Sequence, residues 1–321
     1  MQNKISVVIP NWNGKKYLNK CLSSINNQTL DSYEIIVVDN GSEDGSCKYI
    51  RDNFSEVKLI KLSKNEGFAK AVNIGIKVSD SDLVFLLNND TELPVNLLEI
   101  LYNEACKEKK YLFFACKMIN YYKKNEIDSA GDRFVITNFH TQVFRIGANQ
   151  NKTEFNKKQE VFSACGGAAL YRKEFFNKVG YFDEDFFAFQ EDIDISFRAQ
   201  LMNYKCLFLP KAIVYHMRGG TVSGKSYWHT YYGSRNHVWL LVKNLPKKLF
   251  LKYFLQTFVY TFCKFFIDVF KFILYRDLIR KSAILGKVEA FKKIKIFLRK
   301  RKIIQSKIVI NIVDLEKMIK K

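Results

Sequence analysis

Along the first hundred residues, apolar positions switch between unbroken runs and stripes at helical spacing. Runs at 5–9, 34–38, 57–62 and 83–87 read as strands, whereas Tyr17, Leu18, Cys21, Leu22 and Ile25, and then the pattern over 68–78, read as helices. The run at 83–87 is too short for a helix and apolar at every position, as a parallel strand buried on both faces is. The alternation predicts a βαβαβαβ series, hence a doubly wound, mostly parallel sheet of the α/β class with right-handed crossovers. From 111 to about 172 the pattern turns irregular and strand-like, with a polar stretch at 148–159 that reads as a surface loop. This region is positioned to cover a second substrate. A helix at 191–202 and two short strands at 206–209 and 212–215 come next.

The last part of the chain reads differently. Residues 249–275 hold eleven Phe or Tyr, interrupted by Lys252, Lys264, Asp268 and Lys271. The longest uncharged run, 253–263, falls well short of the roughly 20 residues a bilayer span needs. Wound as a helix, Lys252, Gln256, Thr257, Lys264, Asp268 and Lys271 share one half of the circumference and the aromatic residues the other. Two readings fit: a helix lying in a membrane surface, or one packed on the preceding domain. Charge favours the first. From 243 to 321 there are 21 Lys and Arg against 5 Asp and Glu, so +16 of the net +20 belongs to the tail, and the basic stretch 287–302 suits anionic lipid.

With 321 residues and 48% apolar content, the chain has material for one large or two modest domains. Seven cysteines, odd in number and never spaced as CxxC, argue against a disulfide framework and a thiolate zinc site. The first apolar segment stops at Pro10, too short for a signal-peptide core, so a cytoplasmic protein is expected.

Acids recur where strands end, and ligands of such sheets bind beyond the carboxyl ends. Asp90, after Asn88 and Asn89, fits either a hard divalent cation, Mg²⁺ or Mn²⁺, shared with a diphosphate, or a cap on a helix starting near Pro94. Asp39, followed by Asn40, Gly41 and Ser42, fits an acceptor for a ribose or base, or an Asx turn. A nicotinamide cofactor is disfavoured, because Pro10, Asn11, Trp12, Asn13 and Gly14 stand where GxGxxG would succeed the first strand. Asn65, Gly67 and Asn73 surround a helix start whose backbone N–H groups suit a phosphate or sugar, while Ala69 and Gly75 fit close helix packing. Glu191, Asp192 and Asp194 open the helix at 191 behind an aromatic approach. Negative charge there offsets the helix dipole, and aromatic walls also raise a carboxylate's pKa towards that of a general base, for which Asp192 is the candidate. His216, one of four histidines, ends another apolar run; it fits a metal site with Asp90, or an ordinary satisfied polar side chain. Arg235, in YYGSRN, fits either a cation for a diphosphate leaving group or a surface residue.

Taken in order, SVVIPNWNG (6–14), YEIIVVDNGSEDGS (33–46), NEGFAKAVNIG (65–75), LLNNDTEL, FQEDID and the Tyr215–His216 pair resemble a family 2 glycosyltransferase of the rhamnosyltransferase-like branch, over about residues 4–243. The resemblance implies a GT-A fold, with a nucleotide-sugar half at about 1–110, an acceptor half at about 111–243, and 244–321 as a helical, amphipathic, membrane-associating tail. Pro10, Asn11, Asn13, Asp39, Asn40, Ser42, Asn65, Gly67, Asn73, Asn89 and Arg235 then belong to the donor side, with Asp39 on the pyrimidine base. Asp90 corresponds to the last acid of the DxD metal motif and His216 to a histidine that reaches the metal. Asp192 corresponds to the acid of the ED pair that deprotonates the acceptor hydroxyl, with Glu191 beside it, and Gly166 and Gly167 to an acceptor-side bend. The departure is Asn88, an uncharged amide at the first DxD position.

The reaction this resemblance implies is an inverting, single-displacement transfer from a UDP- or dTDP-sugar to a glycan or lipid-linked acceptor in cell-surface polysaccharide assembly. It uses Mn²⁺ or Mg²⁺, on the inner face of the cell membrane, with no nucleic-acid partner. The alternatives are a nucleotidyltransferase, whose glycine- and lysine-rich phosphate loop has no counterpart here, and a non-catalytic basic adaptor for membrane or nucleic acid. Salt-sensitive RNA binding would mark the adaptor, but the chain has no RNA-binding aromatic motif.

Overall fold

The computed structural model of the chain describes residues 4–137, 141–218 and 226–320. Its first hundred residues obey the apolar pattern. β1 (Ile5–Asn11), α1 (Lys15–Asn26), β2 (Tyr33–Asp39), α2 (Ser46–Asn53), β3 (Lys58–Lys61), α3 (Phe68–Val78) and β4 (Leu83–Leu87) lay down parallel strands in the order β3-β2-β1-β4. Side chains alternate between faces, as a pleated strand requires. Leu83, Phe85 and Leu87 join Ile5, Val7 and Ile9 in one core layer, while Val84 and Leu86 join Val8, Ile36 and Val38 in the other. α3 lies close on the second layer because it carries Gly75, where a Cβ would sit 2.3 Å from Cγ1 of Val8.

The sheet then continues through less local pairings. The chain goes on through β5 (Thr91–Glu92), α4 (Leu97–Lys107), β6 (Phe113–Asn120), β7 (Ile127–Ser129), β8 (Asp132–Ile136), β9 (Thr141–Arg145), β10 (Gln159–Val161), β11 (Ala168–Arg172), α5 (Lys173–Val179), α6 (Glu191–Leu201) and β12 (Cys206–His216). The main sheet is completed in the order β4-β11-β6-β12-β10, with β5 paired to β12 and β7 to β6, while β8 and β9 form a separate two-stranded sheet. β11 runs antiparallel to both neighbours, and β12 runs parallel to β6. Two parallel groups are therefore joined by one reversed strand.

Two expectations change here. The strands expected at 206–209 and 212–215 are one strand, β12, with a register shift between Leu209 and Ile213 where Pro210 has no N–H to pair. Asn96, not Asp90, stands at the cap position of the helix after Pro94. The polar stretch at 148–159 is a loop with one short 3-10 turn, Lys152–Glu154, and the buried Lys117 ammonium donates into it, to the Phe155 carbonyl and Asn156 Oδ1.

Five helices complete the chain: α7 (Tyr227–Asn244), α8 (Lys247–Tyr275), α9 (Leu278–Lys292), α10 (Ile294–Gln305) and α11 (Ile312–Ile319). A third core cluster joins Phe134, Phe162, Ile193 and Phe197 to Trp239, Phe297 and Leu315, with the rings of Trp239 and Phe297 stacked at 4.2 Å. A division at 243/244 thus runs through a shared core. α8 is built the other way round from a core helix. Part of its polar half faces the protein: Asp268, 1% exposed, pairs with Lys287 and Arg280, and Gln256 donates to the Thr137 carbonyl, while Lys252, Lys264 and Lys271 stay exposed. Its apolar half faces out, with Leu255, Phe258, Phe262, Phe266 and Phe270 between 48 and 71% exposed. Among the described residues, no helix is long and apolar enough to cross a membrane. Of the basic stretch at 287–302, Lys287 and Lys300 are paired internally and Arg301 donates to the Val242 carbonyl, while Lys292, Lys293, Lys295, Arg299 and Lys302 remain at the surface.

Candidate functional site

β1, β2 and β4 end side by side, and the polar residues beyond them form one network. Buried Asp39 accepts from Asn11 Nδ2 and from the Ser42 N–H, each at 2.9 Å. Asn11 Oδ1 accepts from Asn89 Nδ2 at 2.7 Å, the Asn13 N–H donates to Ser42 Oγ at 2.9 Å, and Asn40 donates to Asn65 Oδ1 at 3.0 Å. Together with Pro10 in β1, these residues gather at one sheet edge with their side chains already oriented by one another, an arrangement that lowers the ordering cost of binding a ligand there.

Gly67, Asn73 and Arg235 take other places. The Gly67 N–H donates to Asn65 Oδ1 and the Ala69 N–H to the Phe187 carbonyl, so those donors at the start of α3 are engaged within the protein rather than offered to a phosphate. Gly67 has φ of 92°, and a Cβ on it would lie 2.7 Å from the Phe187 oxygen. Asn73 bonds the backbone of Phe182 in both directions and Glu184 Oε1, away from Asn65. Arg235 is neither a surface residue nor a cation held out to a diphosphate. Its buried guanidinium donates to the carbonyls of Asp185 and Phe186 at 3.0 and 2.8 Å and lies 4.2 Å over the Trp239 ring.

That placement has a purpose in the backbone. Phe187, Phe189 and Gln190 adopt φ of 64°, 68° and 66°, a left-handed region that costs a side-chain-bearing residue about 1 kcal/mol or more each. Asn236, next to Arg235 on α7, donates to the carbonyls of Phe186, Ala188 and Phe189 at 2.7–2.9 Å. α7 thereby clamps a strained turn that delivers Glu191 and Asp192 into the first turn of α6.

One dipeptide joins the two acidic centres. The Gly166 N–H donates to Asp192 Oδ2 at 2.9 Å, and the Gly167 carbonyl accepts from the Asn88 N–H at 2.9 Å, two residues before Asp90. Asp90 Oδ1 lies 3.2 Å from His216 Nε2, and His216 Nδ1 bonds Asp128 Oδ2. Asp128, on β7, also pairs with Arg145 at 2.7 Å and with Arg218. Burial opposes a charged imidazole, yet the bonds to Asp128 and Asp90 outweigh it and raise the His216 pKa to about 9. Asp128 is held below the usual carboxylate range in spite of its burial, by the His216 hydrogen bond and both guanidiniums.

On the other side of the dipeptide, burial raises the Asp192 pKa against the stabilising N–H bonds from Gly166 and Ile193. Glu191 is buried and its Oε2 has no hydrogen-bond partner among the described residues; burial and then the charge of Asp192 push its pKa well above the usual value. Asp132, at the start of β8, faces Asp192. Oxygens of both carboxyls and Cys165 Sγ lie within 4.8 Å of one another. Burial first and Asp192 second push Asp132 up to about 7, and burial drives the Cys165 thiol well above its ordinary value. Asp132 and Cys165 thus hold protons near neutrality, which competes with any cation for this donor set. Asp128, Asp132 and Arg145 escaped the sequence reading; the visible signal was IDSAGD, two acids flanking a small-residue bend in a stretch without periodicity.

Known proteins share this arrangement of sheet and sequence. The family model described as Glycosyl transferase family 2 matches residues 6–180. The glycosyltransferase GlyG of Streptococcus pneumoniae is 27% identical over 232 residues, 69% of this chain and 73% of GlyG; the pneumococcal GlyA, also 27% identical, is matched over only 32% of its length. TarP of Staphylococcus aureus, a poly(ribitol-phosphate) β-N-acetylglucosaminyltransferase, is 37% identical over 105 residues, 31% of this chain and 32% of TarP. Among solved structures, S. aureus TarS 1–349 superposes with a TM-score of 0.54 at 16% identity, covering 94% of this chain and 90% of that one. GalNAc-T7 with UDP, GalNAc and Mn²⁺ superposes with a TM-score of 0.55 at 21% identity, covering 67% and 43%. These likenesses identify the fold as GT-A. Since the family model takes in more than half of the residues, including β1 to β4 and the Gly166–Gly167 bend, the chain belongs to glycosyl transferase family 2.

Proposed function

We propose that the protein is an inverting, metal-dependent transferase that moves a hexosyl or rhamnosyl unit from a UDP- or dTDP-sugar to a hydroxyl of a glycan or lipid-linked acceptor in cell-surface polysaccharide assembly. The observation that carries this reading is the Gly166–Gly167 link, bonded at one end to Asp192 and at the other to the strand end bearing Asp90. Relatives named as TarP and as a teichoic acid poly(glycerol phosphate) polymerase support a polymeric cell-surface product.

A divalent cation fits the residues present. Asp90 would supply a hard oxygen and His216 Nε2 an imidazole nitrogen once the cation displaces the proton that Asp128 and Asp90 stabilise there, with Asp128 on Nδ1 fixing the ring as carboxylates do behind metal-bound histidines. Asp90 and His216 would hold Mn²⁺ or Mg²⁺, which when bound would supply positive charge for the diphosphate leaving group; Asn88 adds no charge. The Asn11–Asp39–Ser42 network holds the base and ribose. Asp192, oriented by the Gly166 N–H, takes the proton of the acceptor hydroxyl as that oxygen attacks the anomeric carbon from the face opposite the diphosphate, so no covalent nucleophile is needed. Melting of the full chain with UDP, dTDP and GDP tests this. The expected result is stabilisation by UDP or dTDP that requires Mn²⁺ or Mg²⁺, about 2.7 kcal/mol at a hundredfold excess over Kd; no response to any nucleotide overturns it.

Asp132 gives the reaction its pH dependence. The rate rises with pH as the base loses its proton, and an inflection near pH 7 is expected as Asp132 ionises beside Asp192 and strengthens it. In Asp132→Asn that inflection disappears from the profile of kcat/KM. Stability carries the same sign of proton linkage. Folded Asp132 keeps its proton up to about pH 7 whereas the unfolded chain releases it near 4, so this group makes stability fall as pH rises between the two, on the order of 1 kcal/mol per pH unit. Asp132→Asn removes that loss and melts higher than the parent at pH 8, but alike at pH 4.

The outward apolar half of α8, with the surface cations of α10, supports peripheral attachment to the anionic inner face of the cell membrane. Flotation of the full chain with anionic liposomes is expected to be lost when Phe262 and Phe266 are both replaced by Ser. Undiminished flotation of that variant overturns the attachment.

A further inference from the structure

A cavity of about 480 Å³ lies between α7, α8, α9 and β9, within the size range of small-molecule sites. Its walls are mostly apolar, with Leu241, Phe250 and Phe291 among them, and α8 contributes Phe254 and Phe258, which are also part of that helix's exposed apolar half. The hollow is therefore continuous with the surface proposed to meet the membrane. Elsewhere its lining includes Gln190, the last residue of the strained turn and two positions ahead of Asp192.

Three features of the lining point to a ligand. Gln190 Oε1 and Thr257 Oγ1 are buried there without a hydrogen-bond partner among the described residues, and a buried polar atom left in that state costs roughly 1–3 kcal/mol. Gly233 of α7 lines the cavity, and a Cβ added to it meets nothing within 4 Å. Helix position 233 thus carries a residue poorly suited to a helix interior, and a side chain there would enter open space. The charged groups of the lining are Lys264 and Lys287, the latter already paired with Asp268, and no acid among the described residues lines the hollow, which suits a neutral or anionic guest.

We propose that this cavity receives the single hydrocarbon chain of an amphiphilic acceptor, entering from the bilayer along Phe254 and Phe258, with its hydroxyl-bearing head at Gln190 and so next to Asp192. The site makes the acceptor a membrane lipid rather than a free glycan, and it rests on the reading of Asp192 as the base. The chain's apolar surface leaves water on entry, and the head's hydroxyls satisfy the Gln190 oxygen. α7 then has two duties: it clamps the 185–190 turn and it walls the hollow.

The test uses the full chain and dansyl-undecanoic acid, a single-chain fluorescent amphiphile, held below its micelle-forming concentration. Saturable binding with a blue-shifted emission is expected. Gly233→Phe fills the hollow and weakens that binding about tenfold or more, and the smaller Gly233→Leu gives an intermediate loss, with both variants melting no lower than the parent. Phe262→Ser with Phe266→Ser, which alters the outer face of α8 alone, leaves probe affinity unchanged. The proposal is overturned if the parent does not bind the probe, if filling position 233 has no effect, or if affinity tracks the outer-face change instead. Metal-dependent stabilisation by UDP or dTDP, measured on the same preparations, separates the two readings. Its presence without probe binding removes the lipid site and keeps the transferase; its absence with probe binding does the reverse.

Discussion

Asp192→Asn is expected to lower sugar transfer about 100- to 10,000-fold, the range a positioned general base contributes, while metal-dependent nucleotide binding stays as it was. The asparagine is nearly isosteric, and its side-chain oxygen still accepts the Gly166 N–H, so the link to Gly167 and the Asn88–Asp90 turn is retained. What is lost is the capacity to take a proton. The Asp39–Asn11–Asn89 network has no bond to residue 192 and is unaffected. Single-turnover kinetics beside a nucleotide-binding isotherm make the comparison. Turnover within a fewfold of the parent removes Asp192 from the chemistry.

Asp194→Ala, two residues away, is expected to act on stability instead, at about 3 kcal/mol. Asp194 is wholly buried, and its carboxylate accepts from Lys243 at 2.8 Å, Arg198 at 3.1 Å and Asn244 at 2.7 Å. Alanine leaves two buried cations short of an anion. Asp183 still pairs with Lys243, which keeps the cost at the lower end of the range for a broken buried pair. A lower denaturant midpoint with an unchanged slope is the expected signature; a shift under about 1 kcal/mol would show that the network contributes little. Sequence singled out Asp192 in this acidic turn but left the part played by Asp194 unread, because sequence gives the phase of a helix and not its neighbours. α7, whose Lys243 and Asn244 meet Asp194, lies about fifty residues further along.

Local order was the legible part. β1, β2 and β4 were visible because each is a short apolar run, and an acid or amide at the end of such a run can face little else than the sheet edge. Asp39, Asp90 and His216 were singled out as candidates that way, and Asp192 through its aromatic approach. Pairings across long separations were not legible. β11 and β6 leave no periodic trace of which strands they join, so Asp128 and Asp132 stayed hidden in the irregular region. Arg235 read as a cation for a diphosphate or a surface residue because nothing local announces the turn at 185–190 whose carbonyls it and Asn236 hold. The amphipathic phase of α8 was readable from Lys252 to Lys271, but a wheel has no inside, and here Asp268 and Gln256 turn inward, Asp268 meeting Lys287 and Arg280, while the three lysines of that half stay at the surface.

The reversed strand β11 also has a consequence in time. β4 pairs with β1 on one edge and with β11 on the other, so from its own synthesis until residue 172 has left the ribosome its second edge has no partner. At roughly 5–20 residues per second that interval lasts several seconds. During it Leu83–Leu87, apolar at every position, is an open template for other nascent chains, and the yield of native protein depends on how fast translation closes the gap.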